Sequence, residues 1–133
     1  MKLAEEILRN SRTVAVVGLS ADADRPSNIV ASYLKENGYR IIPVNPREKE
    51  ILGERCYPDL RSIPERVDVV DIFRHPEEVL PVVLEAIEIG AGAIWMQEGI
   101  VNKAAASKSR RAGIKVIMDR WMRKEYLKLK GHK

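Results

Sequence analysis

Between Val14 and Asn28 the chain reads VAVVGLSADADRPSN, an apolar run broken by one glycine and followed by small and polar residues. Gly18 lets the backbone turn tightly. Ser20, Ser27 and Asn28 offer hydroxyl and amide donors, and Arg25 offers a charge. A helix predicted to start near Ser27 or Asn28, with Ser27 as N-cap, points unpaired amides and a partial positive charge back into the loop. That combination binds phosphate, at about 1.5–3 kcal/mol for each charge-assisted bond. Taken singly, Ser27 or Asn28 need only cap a helix; taken together, the residues describe an anion site.

The loop fails the dinucleotide pattern twice. Gly18-Leu19-Ser20-Ala21-Asp22-Ala23 stands where G-x-G-x-x-G is needed, and the next apolar run ends in Val44-Asn45 rather than in the acid that holds a ribose diol. Arg47 follows instead. A guanidinium suits a phosphorylated ribose, which NADP and coenzyme A both carry. No G-x-x-x-x-G-K-[ST] occurs, so a P-loop is excluded.

The remaining reactive residues are sparse. His75 and His132 are the two histidines; His75 follows an apolar run at the proposed site, as a ligand contact or as a solvated helix entry. Cys56, the single cysteine, could join a coenzyme thiol in a mixed disulfide or fill core space, and it can form no internal disulfide. Asp68 and Asp71, at i and i+3 on one strand, face opposite sides and form no carboxylate pair; Asp71 is free to bond a loop amide. Glu98 could act as a base but has no identifiable partner. Met96, Met118 and Met122 read as packing, and no histidines or cysteines have metal-binding spacing.

Alternating periods predict the elements that hold these residues. LAEEILRN puts Leu3, Ile7 and Leu8 on one helical face; TVAVVG is a strand apolar on both faces; SNIVASYLKENG is a helix stopped by Gly38. YRIIPVNP is a second strand, with Pro43 expected at its fading carboxyl end. Residues 48–66 form a turn-rich excursion with a short strand near Tyr57. VDVVDIF, AGAIWM and IKVIM are three further strands, and helices follow in PEEVLPVVLEAIEIG, NKAAASKSRRAG and RWMRKEYLKLK. Pro81 is harmless if regular helix starts no earlier than about Glu78. The pattern predicts an α/β, Rossmann-like, doubly wound parallel sheet of about five strands in a three-layer α/β/α arrangement, with its ligand beyond the strands' carboxyl ends.

The chain has 133 residues, the length of a single domain, and we read residues 1–133 as one. Its 45% apolar and 32% charged residues exclude disorder, and no run reaches the roughly 18 apolar residues of a membrane span. A cytoplasmic protein is expected, because the first residues carry acids where a signal peptide has its apolar core. The whole net charge of +4 lies between Asp119 and Lys133, with six bases against two acids. A solvated helix explains it, and no interleaved aromatics suggest a nucleic-acid face.

VGLSADADRPSNIVASYLKENGYRIIPVNP, with ILGERCYPDLRSIP, VDVVDIFRHPEEV, IWMQEGI and MDRWMRKEY, closely resembles the small stand-alone CoA-binding proteins of bacteria and archaea. These are similar to the CoA-binding domain of the succinyl-CoA synthetase alpha subunit. The resemblance covers nearly everything from Arg12 onward. It implies that Gly18, Leu19, Ser20, Arg25, Pro26, Ser27 and Asn28 hold a diphosphate, and that Val44, Asn45, Pro46 and Arg47 flank the adenosine. It further implies that Ile72, Phe73 and Arg74 form the opposite wall, with Gln97 and Gly99 toward the pantetheine arm. Trp121 stands where the family has a cysteine, and Tyr126 where a histidine is common. The expectation is therefore reversible binding of coenzyme A or an acyl-CoA, without a catalytic or metal-binding residue. The alternatives are an NADP-linked or CoA-transfer enzyme component, and a protein-interaction module with a vestigial nucleotide pocket. A protein partner or a homo-oligomer remains open.

Overall fold

In the computed structural model residues 2–131 are described, so His132 and Lys133 lie outside the described residues. Five parallel strands make the main sheet: β1 (Thr13–Val17), β2 (Arg40–Val44), β5 (Val69–Ile72), β6 (Ala93–Met96) and β7 (Lys115–Ile117), in the order β2-β1-β5-β6-β7. The winding reverses between β1 and β5. This is the Rossmann-like, doubly wound sheet expected from the alternating periods.

Both faces are covered because the strands are apolar on both. Ala15, Val17, Ile42, Val70, Ile72, Ile94 and Met96 pack with Val79, Val83 and Ala86 of α3 (Val79–Glu88) and with Ala105 and Ala106 of α4 (Lys103–Arg111). Val14, Val16, Ile41, Val69 and Trp95 pack with α1 (Leu3–Asn10), α2 (Pro26–Glu36) and α5 (Met122–Leu129). Leu3, expected on the buried face of α1, is 38% exposed, whereas Ile7 and Leu8 are buried.

Several local expectations change. Helix α2 starts at Pro26 with Arg25 at the N-cap position, so Ser27 is not the cap; proline is favoured at the first helical position because it lacks the amide that would go unpaired there. Pro43 lies inside β2, in register with Val16, rather than at a failing end. It is tolerated because β2 is an edge strand: the Val44 carbonyl bonds Gly18 on the inner side, while the Pro43 carbonyl and the Asn45 amide bond Tyr57 on the outer side. Tyr57 makes only an isolated parallel bridge with Val44. The excursion instead folds as a hairpin of β3 (Glu50–Ile51) and β4 (Glu54–Arg55), turning through Leu52 and Gly53, both at positive φ. Pro81 is the third residue of α3, after a 3-10 turn over Pro76–Glu78, and interrupts no helical bond.

Candidate functional site

The carboxyl ends of β1, β2, β5 and β6 open into one cleft of about 1380 Å³, which also reaches Trp121 beyond β7. Ordinary small-molecule pockets span roughly 300–1,000 Å³, so an extended ligand is accommodated. The cleft straddles the switch point between β1 and β5, where a doubly wound sheet leaves its two neighbouring loops diverging.

The first loop is held by its own hydrogen bonds. Ser27 Oγ accepts from the Ser20 amide (2.9 Å), Asn28 Nδ2 donates to the Ser20 carbonyl (2.8 Å), and Ser20 Oγ accepts from the Asp22 amide (3.0 Å). Helix α2 makes its first bond from the Ile29 amide to the Arg25 carbonyl, leaving the amides of Ser27 and Asn28 without a helical acceptor. Gly18 has φ +86°, and a Cβ there would collide with the Phe73 carbonyl, so only glycine lets the loops after β1 and β5 approach this closely. Asn45 ties the second loop to the first: its Nδ2 donates to the Leu19 carbonyl (3.0 Å) and its Oδ1 accepts from the Arg47 amide (2.8 Å).

Most of the residues singled out from the sequence line this cleft: Gly18, Leu19, Ser20, Arg25, Pro26 and Ser27; Val44, Asn45, Pro46 and Arg47; Phe73 and Arg74; Gln97 and Gly99. Two do not. Ile72 is fully buried in the layer under α3, because Asp71 before it takes the opposite face, and Asn28 is buried with its side-chain amide spent on the Ser20 carbonyl. Leu19 turns its side chain into the core, and its carbonyl is taken by Asn45. Gln97 is 2% exposed.

The charges are unevenly available. Arg74 donates to Glu78 (2.6 Å), whereas Arg25 and Arg47 are exposed and, among the described residues, pair with no carboxylate. His75 also lines the cleft and is exposed. The wall not foreseen from sequence consists of Pro58, Asp59 and Leu60 with Pro81, Val82 and Glu85 of α3; Glu85 Oε1 accepts from the Leu60 amide (2.9 Å) and joins the two segments. Its α3 half could have been inferred from the helix start that follows β5, but the 58–60 turn carries no periodic signal.

Asp68 lies just before β5 and Asp71 within it, and each carboxyl has its own partners. Burial alone would raise Asp68, but the amides of Thr13 and Arg12 and the Arg66 guanidinium hold its carboxyl below the ordinary range. Asp71 is pushed up to about 7 by complete burial, against the opposing bond from Gln97; it bonds that side chain and not a loop amide. Cys56 lies in the core, its thiol pushed up by burial and by Glu48 and Glu50, and it is absent from the cleft lining. Tyr126 is buried edge-on against Tyr33 and Tyr39, at centroid distances of 5.8 and 5.7 Å, remote from the cleft lining. No metal-binding cluster occurs among the described residues, and no helix among them is long and apolar enough to cross a membrane.

Known proteins are similar to this chain in sequence and in fold. The model of the CoA binding domain matches residues 12–126. YneT of Bacillus subtilis (strain 168) is 41% identical over 115 residues, covering 86% of this chain and 85% of that protein. The ADP-forming acetate-CoA ligase II of Archaeoglobus fulgidus is 36% identical over 92 residues, 66% of this chain but 14% of the ligase, so the likeness is confined to a small part of that enzyme. The solved structure of a hypothetical protein from Pyrococcus horikoshii OT3 superposes with a TM-score of 0.93 at 39% identity, covering 96% of this chain and 90% of that one. The match across residues 12–126, on a sheet whose switch-point loops make the cleft, assigns this chain to the CoA-binding domain family.

Proposed function

We propose that the chain binds coenzyme A or an acyl-CoA reversibly in the cleft, with no catalytic group of its own. The observation that supports this most is that the exposed guanidiniums of Arg25, at the start of α2, and Arg47, after β2, line one cleft and, among the described residues, pair with no carboxylate. In this reading the backbone amide of Ser27, backed by the unpaired backbone amide of Asn28, and the Arg25 guanidinium take the diphosphate, and Arg47 takes the phosphate on the ribose. Asn45 and Gly18 set the spacing between these groups. Gln97 and Gly99 contribute the shape of the cleft floor rather than donors, since the Gln97 side chain and the Gly99 amide are already bonded within the protein.

Calorimetry with coenzyme A, dephospho-coenzyme A and NADP tests the reading. Coenzyme A should bind best. Arg47→Ala should weaken it about tenfold or more, as expected for one charge-assisted bond, and should leave dephospho-coenzyme A unchanged. Equal binding of the two coenzymes to the native chain would remove the role given to Arg47, and tighter binding of NADP would replace the ligand class.

A further inference from the structure

Behind the cleft lies a buried polar relay that the binding reading does not use. Asp71, on β5, is fully buried between Val16 and Trp95 in the sheet register. Its Oδ1 accepts from Gln97 Nε2, and its Oδ2 has no partner. Gln97 Oε1 in turn accepts from the amide of Met122 (3.2 Å), the first residue of α5. The residue before it, Trp121, stands at the N-cap position and lines the cleft. The approach to α5 has further ties to β6 and its loop: Trp95 Nε1 donates to the Arg120 carbonyl (3.0 Å), and Asp119 Oδ1, on a residue with φ +57°, accepts from the Gly99 amide (2.7 Å).

A primary amide has one donating and one accepting end. With the accepting end of Gln97 turned to Met122, its donating end faces Asp71, which must then accept. A carboxylate accepts at either oxygen, so it enforces this orientation. A neutral acid does so only while its proton stays on Oδ2, where nothing stabilises it; a proton on Oδ1 opposes the Gln97 donor and favours the flipped amide, which then presents N–H to N–H at Met122. We propose that Asp71 is a positioning residue whose gain or loss of a proton, relayed by Gln97, sets how firmly the start of α5 and Trp121 are held against the cleft. Only an O–H bond is made or broken, and the proton exchanges with solvent.

The surroundings leave burial as the controlling cause of the carboxyl's raised value. The elements on this face present Val16, Trp95, Val30, Ala31, Leu34 and Met122, and the buried or partly buried titratable side chains in the same layer are Cys56, Tyr33, Tyr39 and Tyr126. None of them contributes to the displacement of Asp71, and no charged group does. The exposed titratable group closest in role is His75, which lines the same cleft and must be separated from Asp71 by the experiment.

The significance of Trp121 as a cleft wall rests on the coenzyme reading, but the relay is testable without ligand. Fluorine-19 NMR of the full chain labelled with 5-fluorotryptophan gives separate signals for Trp95 and Trp121, assigned with Trp121→Phe. Between about pH 5.5 and 8.5 the Trp121 signal should shift along a one-proton curve matching the Asp71 carboxyl titration followed by carbon-13 NMR of the native chain. Asp71→Asn should abolish that shift. Gln97→Met should abolish it too, while the Asp71 carboxyl still titrates. A Trp121 shift that survives Asp71→Asn overturns the proposal, as does a native carboxyl titration that Trp121 ignores or an Asp71 carboxyl that does not titrate in this range. Absence of coenzyme binding at every pH would remove the coenzyme reading alone and leave this result standing.

Discussion

Arg25 and Arg47 differ from Arg74 in what they have left to give. A guanidinium already held by Glu78 must break that bond to take a ligand phosphate, whereas the first two exchange only water. Arg25→Ala should therefore weaken coenzyme A about tenfold or more in calorimetry, and Arg74→Ala clearly less. Gly18 is constrained in a different way. Gly18→Ala places a methyl against the Phe73 carbonyl at a positive φ, so it should cost about 1–3 kcal/mol and lower the melting temperature by several degrees in a thermal scan. Binding should fall with it, because the same contact holds the two loops apart by the right distance. The two aspartates predict opposite pH behaviour. Asp71 lies above its unfolded value, so its contribution to stability is complete below about pH 4 and is lost as pH rises through about 7. Denaturant titrations of the native chain should show a component falling by up to about 1.4 kcal/mol per pH unit across that window, and Asp71→Asn should flatten it. Asp68 is held below its unfolded value, so its contribution is present above about pH 4 and lost as pH falls through its folded value. Asp68→Asn should cost about 1–2 kcal/mol at neutral pH and reduce the loss in acid.

Among the elements, the strands were legible because burial on both faces demands uninterrupted apolar runs, and those runs are TVAVV, VVDI and AIWM within the observed β1, β5 and β6. The exception inside VVDI is Asp71, whose burial the run of neighbours concealed. The small hairpin was not legible. Its strands are two residues each, too short for a period, and Leu52 occupies a left-handed position where asparagine or glycine is the usual signal. Helix α2 was located to within one or two residues, but its cap was misplaced because Ser27 looks like a better cap than Arg25. The side chain that reads as a cap instead organises the loop, accepting from Ser20. Ser27→Ala should therefore loosen the 18–25 loop, seen as faster amide hydrogen exchange there, with little loss of helix content by circular dichroism.

For the molecule as a whole, the cleft was legible as a place before it was legible as a surface. Doubly wound topology puts the ligand at the carboxyl edge, which accounts for Gly18, Arg25, Asn45, Arg47 and Phe73; it says nothing about a wall built from an irregular segment such as 58–60. Charge is also distributed at this scale. The exposed ion pairs, such as Arg61 with Glu88 and Lys128 with Glu125, contribute little each, so raising salt from about 0.05 to 0.5 M should move the melting temperature by no more than a few degrees. Coenzyme A affinity should fall several-fold over the same range, since the binding proposed above sets its phosphates against exposed guanidiniums. Pro43, finally, matters to more than its own ladder. At the outer border of β2 it offers no amide, and the Asn45 amide and the Pro43 carbonyl are both taken by Tyr57. A neighbouring chain therefore finds no free donor or acceptor at the Pro43 carbonyl and the Asn45 amide, and strand addition is blocked along that stretch of the β2 border.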